Sequence, residues 1–484
     1  MNTLLLNPND TVTVVLDNDH FPATPGSKVA RYAISKGAAI VKFGVTIGIA
    51  LCDIEEGSIV DHRVMKELES PRIDANNLKI DNGNLILPTH LTHFDGYLNS
   101  DGSAGTRNYL CIVTSVQCVS GIAEHAVLRI RSELLPQYPN VDGVVLLNHS
   151  YGCGVAINAR EAHIPRQTLS NLSINPNFGG YKLFIGLGCE KLRHEMMIQS
   201  HSGASETDQL YYDSIYIQSV KKPGFNAIVE AIYEKAKNAL EYLNTRHRQK
   251  LPISLLTIGM QCGGSDAFTG ISANPVLGRL SDILVAAGGA SIFSENTECM
   301  DAEDYLVKRC ISVEVASKLK KEFSWYRDYL FQGGADRTAN TTPGNRAGGL
   351  STITEKALGS IAKAGSSPIV DVLSPGERVR KMGLSYLSGP ASDFICGTLQ
   401  LAAGANLHIF TTGRGTPYSI DGFPVIKVST NTPIFEKWFD LIDFDAGTVI
   451  TGESLQECAL ALLELVILIA SGQETAAERL RISN

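Results

Sequence analysis

The chain has 484 residues, of which 44% are hydrophobic and 19% are charged, and its formal net charge at neutral pH is −8. A chain of this length exceeds what one hydrophobic core usually covers, so more than one domain is expected. The acidic balance argues against a nucleic-acid-binding surface or an anionic-membrane surface, although a few local arginines can still hold an acidic small molecule.

The sequence shows no targeting segment and no membrane span. The first ten residues lack the basic stretch and the long apolar run of a signal peptide. The most apolar late stretch, residues 459–470, is interrupted by Glu464 and is too short to cross a bilayer, which favours a core helix. Ten cysteines without a secretory signal indicate reduced thiols, and we expect a cytoplasmic protein with no membrane partner.

Residues 1–69 are predicted to form a small β-rich N-terminal domain. Short apolar and β-branched runs at 11–16 and 45–50 are bounded by turn residues, a pattern typical of strands. His20 lies in a loop of polar acceptors and is either a solvated histidine or a group that reaches a neighbouring site. Residues 70–95, rich in Asn, Asp and Pro, are predicted to be a linker.

Residues 96–248 are predicted to form a first α/β catalytic domain. Strands at 109–114, 141–147 and 181–186 alternate with helices, which is typical of a parallel, doubly wound sheet. Each strand is followed by side chains that can bind a metal or act in catalysis. They are Cys118 after the first strand, His149 and Cys153 after the second, and Cys189 and Glu190 after the third.

Residues 249–484 are predicted to form a second α/β catalytic domain, so the catalytic body has two Rossmann-like regions. Its first apolar run breaks at Cys262 into two glycines, Ser265 and Asp266. Because ligands of open α/β sheets bind beyond the carboxyl ends of the strands, these residues are predicted to line a site. A glycine-rich turn with a buried cysteine remains the alternative. A later strand ends at Glu295.

Imidazole, thiolate and carboxylate groups recur at these strand ends and suit a divalent transition metal, with iron and zinc both compatible. No local Cys-x-x-Cys or His-Glu-x-x-His motif fixes the ligands, and each cysteine is also explained as a small buried residue. The predicted metal ligands are Cys118, His149, Cys153, Cys189, Glu190 and Cys262.

Three arginines, Arg107, Arg346 and Arg414, lie among glycines. A planar guanidinium in a tight loop suits bidentate capture of a carboxylate or a phosphate, although surface arginines are usually only solvated. Three such loops indicate a small polyanionic or dicarboxylate ligand. Neither a Walker loop nor a Gly-x-Gly-x-x-Gly turn follows the first strand, which disfavours a nicotinamide dehydrogenase.

Several long motifs resemble the galactarate and altronate dehydratase family, and the similarity spans nearly the whole chain. They are Asp101-Gly-Ser-Ala-Gly-Thr-Arg-Asn108, Asn148-His-Ser-Tyr-Gly-Cys-Gly154, Gly186-Leu-Gly-Cys-Glu190, Gly259-Met-Gln-Cys-Gly-Gly-Ser-Asp266 and Phe410-Thr-Thr-Gly-Arg-Gly-Thr-Pro417. Three further stretches are closer to the galactarate branch of the family. They are residues 147–159, Asn175-Pro-Asn-Phe-Gly-Gly180 and Lys356-Ala-Leu-Gly-Ser-Ile-Ala-Lys363.

The resemblance implies a small β-rich N-terminal domain, an α/β catalytic body and dehydration of a sugar acid stimulated by Fe2+, other divalent metals remaining possible. It implies galactarate as substrate and 5-dehydro-4-deoxy-D-glucarate as product, and the two carboxylates of galactarate match the arginine loops. We expect a homodimer with an aldarate as its small-molecule substrate. An altronate-type lyase, a sulfolactate-type lyase and a catalytically lapsed sugar-acid-binding protein stay open as alternatives.

The predicted reaction is elimination of water after removal of a proton alpha to a carboxylate. The predicted catalytic residues are His149, Glu295 and Asp266, and the predicted substrate-binding residues are Arg107, Asn108, Ser265, Arg346 and Arg414. One departure from the family concerns the N-terminal domain, where Gly26-Ser27-Lys28 replaces the usual Gly-His-Lys. If that histidine contributes to the site, His20 must substitute for it or activity is altered.

Overall fold

The computed structural model describes residues 2–17, 23–69, 88–199, 212–222 and 224–482, and it confirms the predicted α/β fold class. The N-terminal module contains two small antiparallel sheets. One sheet consists of β1 (Asn2–Leu4), β2 (Val12–Asp17) and β3 (Lys28–Ala30), and the other of β4 (Ala39–Lys42), β5 (Val45–Ala50) and β6 (Met65–Lys66). His20 and residues 70–87 of the predicted linker lie outside the described residues.

The N-terminal module packs directly on the C-terminal part of the chain. The inward residues of its short strands, such as Val12, Ile40 and Ile47, are buried in the same hydrophobic core as Ile258. Burial of such aliphatic side chains stabilises the contact by about 25 cal/mol for each Å² of apolar surface removed from water. The module is therefore anchored by a shared core, and its loops have fixed positions relative to the body.

The first α/β region is built on a four-stranded parallel sheet with the strand order β10-β9-β11-β12. Its strands are β7 (His93–Leu98), β8 (Ala104–Gly105), β9 (Tyr109–Thr114), β10 (Gly143–Leu147), β11 (Tyr181–Gly186) and β12 (Tyr212–Tyr216), of which β7 and β8 lie outside that sheet. Its helices are α1 (Ser120–Arg129), α2 (Arg160–Ser173), α3 (His194–Gln199) and α4 (Phe225–Asn244).

The second α/β region is built on a seven-stranded parallel sheet with the order β16-β17-β15-β14-β18-β19-β20. Its strands are β13 (Gln249–Pro252), β14 (Thr257–Cys262), β15 (Ala290–Phe293), β16 (Ile369–Leu373), β17 (Gly383–Leu387), β18 (Leu407–Thr412), β19 (Val425–Ser429) and β20 (Phe444–Asp445). Its helices are α5 (Ala273–Ala286), α6 (Asn296–Cys299), α7 (Glu303–Lys308), α8 (Val313–Gln332), α9 (Pro343–Ala347), α10 (Ile353–Ile361), α11 (Asp393–Ala402), α12 (Thr432–Lys437), α13 (Leu455–Ala470) and α14 (Ala476–Leu480).

The first strand of each α/β region pairs with that of the other. β13, the first strand of the second region, pairs antiparallel with β7, which in turn pairs with β8, so this small sheet lies apart from both parallel sheets. The central strand β14 is buried at all six residues, as expected for a strand covered on both faces. Among the described residues, no helix combines the length and the apolar character needed to cross a membrane.

Candidate active site

A group of buried ionisable side chains lies at the carboxyl ends of β14 and β15. We call it the buried acid–base site, and its members are Cys262, Glu295, Glu298, Lys356, Ser360 and Lys363. Cys262 ends β14, and Glu295 directly precedes α6 with φ of 84°, a left-handed backbone that non-glycine residues rarely adopt. Such a conformation costs about 1–3 kcal/mol and recurs at functional sites, where surrounding structure holds it in place.

Two lysines neutralise this site from the opposite side. Lys363 Nζ donates to Ser360 Oγ at 2.8 Å and to Cys262 Sγ at 3.2 Å, and it also contacts the Glu295 carboxylate. Lys356 Nζ lies 2.8 Å from Glu298 Oε1. Cys262 Sγ lies 3.4 Å from Glu298 Oε2. The site is therefore a compact buried network in which each charge has a partner.

The environment separates the proton affinities of the two glutamates. Burial and the neighbouring Glu298 carboxylate raise the pKa of Glu295 to about 8. Burial also acts to raise the pKa of Glu298, but the ammonium groups of Lys356 and Lys363 outweigh it and lower the pKa to about 2. The surroundings therefore favour the protonated form of Glu295 and the ionised form of Glu298, a division typical of acid–base catalysis.

The six predicted metal ligands do not form one site. Among the described residues, a single group of at least three potential ligands has its ligand atoms within 4.8 Å of one another, namely Cys262, Glu295 and Glu298. The Lys363 ammonium already contacts two of these three groups, and a divalent cation would have to displace it. Burial raises the pKa of the Cys262 thiol to about 12, which disfavours the thiolate form that binds metals.

The loops above the buried acid–base site carry Arg346 and Arg414, both of which are exposed. The guanidinium of Arg414 donates to the Gly344 carbonyl at 3.1 Å, so the two arginines lie on touching loops. Asn345 links these loops to the site below, because its amide donates to the Ser265 carbonyl at 3.0 Å and its oxygen accepts from Lys356 at 3.2 Å. The predicted site residues Ser265, Arg346 and Arg414 are therefore brought together.

Asp266 is buried and holds the loop that surrounds it. Its Oδ1 accepts from the backbone of Phe268 and Thr269, and its Oδ2 accepts from Thr430 and Asn431. Both carboxylate oxygens of Asp266, a predicted catalytic residue, thus accept hydrogen bonds from protein donors. Asp266 fixes the loop that presents Ser265.

The side chains of Arg107 and Asn108, which were predicted to bind substrate, are engaged by protein partners. All five guanidinium N–H groups of Arg107 are used by Glu478 and by backbone carbonyls, including that of Gln473. The Asn108 amide donates to the carbonyls of Asn140 and Leu243. The Gly-Thr-Arg-Asn motif is thus buried, and its hydrogen bonds connect segments that are distant along the chain.

The strand-end residues of the first region lie on a different edge. Cys118, Cys153 and Cys189 are exposed, and Glu190 accepts from Ser115 Oγ at 2.6 Å and from two backbone N–H groups. Burial raises the Glu190 pKa, but these hydrogen bonds outweigh it and lower the pKa. Glu190 therefore fixes its own loop and is not free to bind a metal, unlike the thiol of Cys189 beside it.

His149 is buried and faces a cavity of about 410 Å³ between the two α/β regions. The cavity is also lined by residues of α2 and by Phe394 of α11, and its volume lies within the usual range of small-molecule pockets. Burial lowers the pKa of His149, so the imidazole is neutral at physiological pH. A neutral imidazole at a cavity wall can accept a proton.

Asp393, at the start of α11, is the chain neighbour of Phe394 in the cavity wall, and its hydrogen-bond partner Gln261 is the chain neighbour of Cys262. Its Oδ1 accepts from Gln261 at 3.0 Å, and it packs against Gly263, where a Cβ atom would meet Asp393 Oδ2 at 2.8 Å. Burial and the Glu298 charge raise the pKa of Asp393 to about 6. None of the six members of the buried acid–base site lines the cavity that His149 faces.

The Gly26-Ser27-Lys28 turn of the N-terminal module contacts the C-terminal part of the chain at Gly349 and Glu355. Lys28 Nζ donates to the Gly349 carbonyl at 2.6 Å and to Glu355 at 3.0 Å. Gly349 has φ of 94°, and a Cβ atom there would meet the Gly26 carbonyl oxygen at 2.4 Å, so only glycine fits. Ser27, which replaces the family histidine, hydrogen-bonds within its own turn to Thr24.

Sequence reasoning missed the catalytic potential of Lys356, Ser360 and Lys363. Their spacing of four and then three residues places all three on one face of α10 and the turn that follows, and this spacing was a usable signal. Glu298 and Asp393 gave no comparable local signal, because their roles depend on neighbours that are distant along the chain.

Family models match three successive parts of the chain. Residues 20–68 match the altronate/galactarate dehydratase SAF domain, residues 96–244 the second domain of D-galactarate dehydratase/altronate hydrolase, and residues 253–484 the C-terminal D-galactarate/altronate dehydratase domain.

Three curated relatives are similar over nearly their full length. The galactarate dehydratase (L-threo-forming) of Escherichia coli (strain K12) is 46% identical over 94% of this chain and 87% of its own. The altronate dehydratase of Bacillus subtilis (strain 168) is 36% identical over 93% and 88%, and that of Escherichia coli (strain K12) is 34% identical over 97% and 92%. The chain therefore belongs to the D-galactarate/altronate dehydratase family and is a hydro-lyase.

Proposed function

We propose that this hydro-lyase removes water from a six-carbon sugar diacid, with D-galactarate as substrate and 5-dehydro-4-deoxy-D-glucarate as product. The observation that carries the proposal is a pair of buried glutamates, Glu295 and Glu298, each held by a lysine, beneath loops that carry two exposed arginines. A proton-holding carboxyl supplies the acid that an elimination of water needs, and guanidinium groups bind carboxylates. The 46% identity to a galactarate dehydratase favours this diacid over altronate, which has one carboxylate.

The elimination removes a proton alpha to a carboxylate and breaks a carbon–oxygen bond at the neighbouring carbon. His149, neutral and facing the interdomain cavity, is the proposed base. Glu295, held by Lys363, is the proposed acid that delivers a proton to the departing hydroxyl, which leaves as water. The enol that remains tautomerises to the keto acid. Arg346 and Arg414, exposed on touching loops, hold the carboxylates.

The family resemblance implies ferrous iron. The donors of the buried acid–base site fit a divalent ion poorly, because the Lys363 ammonium already contacts both Cys262 and Glu295. The thiols of Cys118, Cys153 and Cys189 fit iron better, since they are exposed and soft. Cys118, Cys153 and Cys189 would hold the iron, which would supply Lewis acidity to stabilise developing negative charge.

Release of keto acid from a panel of aldarates and aldonates, assayed without oxygen and with ferrous iron, tests the proposal. We expect turnover of galactarate at a kcat/KM at least tenfold above that of altronate. Preference for altronate or release of sulfite from sulfolactate would contradict the substrate assignment. A rise in melting temperature with galactarate but no keto acid would identify a lapsed binding protein and overturn the proposed activity.

A further inference from the structure

Two buried lysines of the N-terminal module reach into the C-terminal part of the chain. Lys28 begins β3 and Lys42 ends β4, so they come from the two different sheets of the module. Both ammonium groups contact the carboxylate of Glu355 in α10, at 3.0 Å and 2.8 Å. Lysine is almost never fully buried unless it is paired, and here two lysines share one carboxylate. One lysine would suffice to neutralise Glu355, so pairing alone does not account for both.

Lys28 differs from Lys42 in a second contact. Its Nζ donates to the Gly349 carbonyl at 2.6 Å, whereas in the described part of the chain Lys42 Nζ hydrogen-bonds to Glu355 alone. The Gly349 N–H in turn donates to the Arg346 carbonyl at 3.1 Å. Two consecutive hydrogen bonds therefore connect the Lys28 ammonium to the backbone of Arg346.

The helix that carries Arg346 is too short to be stable by itself. Arg346 lies in α9, which has five residues, whereas isolated helices shorter than about 12–15 residues are marginal in water. A capping box at Thr342 fixes the first turn of α9. The helix is followed by two glycines, Gly348 and Gly349, which restrict the backbone least. The position of the chain after α9 therefore depends on contacts from outside the helix.

The turn that precedes β3 packs on this same part of the chain. A Cβ atom at Gly349 would meet the Gly26 carbonyl oxygen at 2.4 Å, and a Cβ atom at Gly26 would lie 3.3 Å from Ala267 Cβ. The Ala267 N–H donates to the Gly348 carbonyl at 2.8 Å. The turn therefore lies against two loops of the body, the one that follows α9 and the one that follows β14.

We propose that Lys28 is a positioning residue for substrate binding, because its hydrogen bond to Gly349 holds the chain after α9 and thereby places the Arg346 guanidinium for contact with a substrate carboxylate. The proposal rests on the proposed function, in which Arg346 binds a carboxylate of a sugar diacid. Lys42 only neutralises Glu355. The N-terminal module thus affects the affinity for substrate without touching the substrate.

The test compares Lys28→Met with Lys42→Met in the full-length chain, by steady-state release of keto acid from galactarate. Each variant removes one ammonium group from the same carboxylate, and methionine keeps an unbranched side chain in the buried position. We expect Lys28→Met to raise KM about tenfold with a smaller effect on kcat, since substrate binding is what is lost. Lys42→Met should leave KM unchanged, and both variants should lose similar stability in urea. An unchanged KM in Lys28→Met, or an equal rise in both variants, would overturn the proposal.

Arg346→Ala shows whether Lys28 acts through the arginine. We expect Arg346→Ala to raise KM by itself, and Lys28→Met to add nothing in that background, because residues of one network are not additive. A further rise in KM in the double variant would show that Lys28 acts elsewhere and would refute the positioning role alone. An unchanged KM in Arg346→Ala would refute the carboxylate-binding role of Arg346 in the proposed function, together with the positioning built on it.

Gly349→Ala is the second variant if circular dichroism shows that Lys28→Met does not fold. It leaves both lysines and Glu355 in place but forces the chain after α9 away from Gly26. We expect the same rise in KM, and an unchanged KM in folded Gly349→Ala would overturn the proposal. The Kd of galactarate, measured by calorimetry, gives the same comparisons without turnover. A protein whose Kd rises in Lys28→Met but that releases no keto acid would support the positioning role and refute the proposed activity.

Discussion

The two parallel sheets of this protein present very different side chains at their carboxyl ends. The four-stranded sheet ends in exposed thiols on hydrogen-bonded loops, whereas the seven-stranded sheet ends in a buried network of two lysines and two glutamates. Exposed sulfur is available to an external group, but buried charge must be neutralised from within. The same architectural position therefore presents accessible thiols in one region and buried ionisable groups in the other.

The largest effect is expected where the seven-stranded sheet is proposed to transfer a proton, at Glu295. Glu295→Gln keeps the shape of the side chain but cannot transfer a proton, so we expect kcat to fall about 10²–10⁴-fold. Steady-state assay of keto-acid release measures the effect. Glu314→Gln, at an exposed position in α8, is the control and should leave kcat unchanged. A loss of less than threefold in Glu295→Gln would show that this glutamate is not the acid.

A second test concerns buried charge between the N-terminal module and the body. Glu355 is buried between Lys28 Nζ at 3.0 Å and Lys42 Nζ at 2.8 Å. Glu355→Gln leaves two buried ammonium groups without a counter-charge, and we expect the free energy of unfolding to fall by about 3–5 kcal/mol. Urea denaturation measures the loss.

The surface pair of Glu133 with Arg129 provides the contrast for Glu355. Glu133→Gln should leave the urea midpoint unchanged, because an exposed ion pair contributes little to stability. Equal midpoints for Glu355→Gln and Glu133→Gln would contradict the anchoring role assigned to the buried triad.

The third prediction is that a buried histidine makes the free energy of unfolding depend on pH, whereas an exposed histidine does not. Burial lowers the pKa of His408, on β18 of the seven-stranded sheet, to about 3. Below pH 6.5 the unfolded chain binds a proton that the folded chain excludes, so stability falls as the pH decreases from 6.5 towards 3. The contribution of this one group is about 1.4 kcal/mol per pH unit in that window.

Replacement of His408 by Leu should flatten the pH dependence of the unfolding free energy between pH 6 and pH 4. His163→Gln, at an exposed position in α2, should leave the curve unchanged. Parallel curves for the wild-type chain and His408→Leu would indicate that the buried imidazole is protonated in the folded state.

The smallest predicted effect concerns Arg414, an exposed arginine on the loops above the buried acid–base site. Arg414→Ala should raise KM for galactarate about tenfold, equivalent to about 1.4 kcal/mol, with a smaller effect on kcat, because a charge-assisted hydrogen bond to a carboxylate is lost. Arg63→Ala, an exposed arginine of the N-terminal module, is the control. A change in kcat alone would place Arg414 at the reacting carbon rather than at a substrate carboxylate.

The amino-acid sequence determined the fold class and the edges at which chemistry is concentrated. The predicted strands at 109–114 and 181–186 coincide with β9 and β11, because continuous apolar runs bounded by polar turns are local signals. The same logic located Cys118, Cys153 and Cys189 at strand ends.

Only the tertiary structure decided which of these groups share a site. Arg107 has the local sequence of an anion-binding loop, yet its partner Glu478 lies 371 residues further along the chain and occupies its guanidinium. Lys363 meets Glu295 and Cys262 through folding of three separate segments, and that contact determines their charges. Local pattern fixes where a strand ends, whereas the charge of a buried group depends on neighbours that come together only when the chain folds.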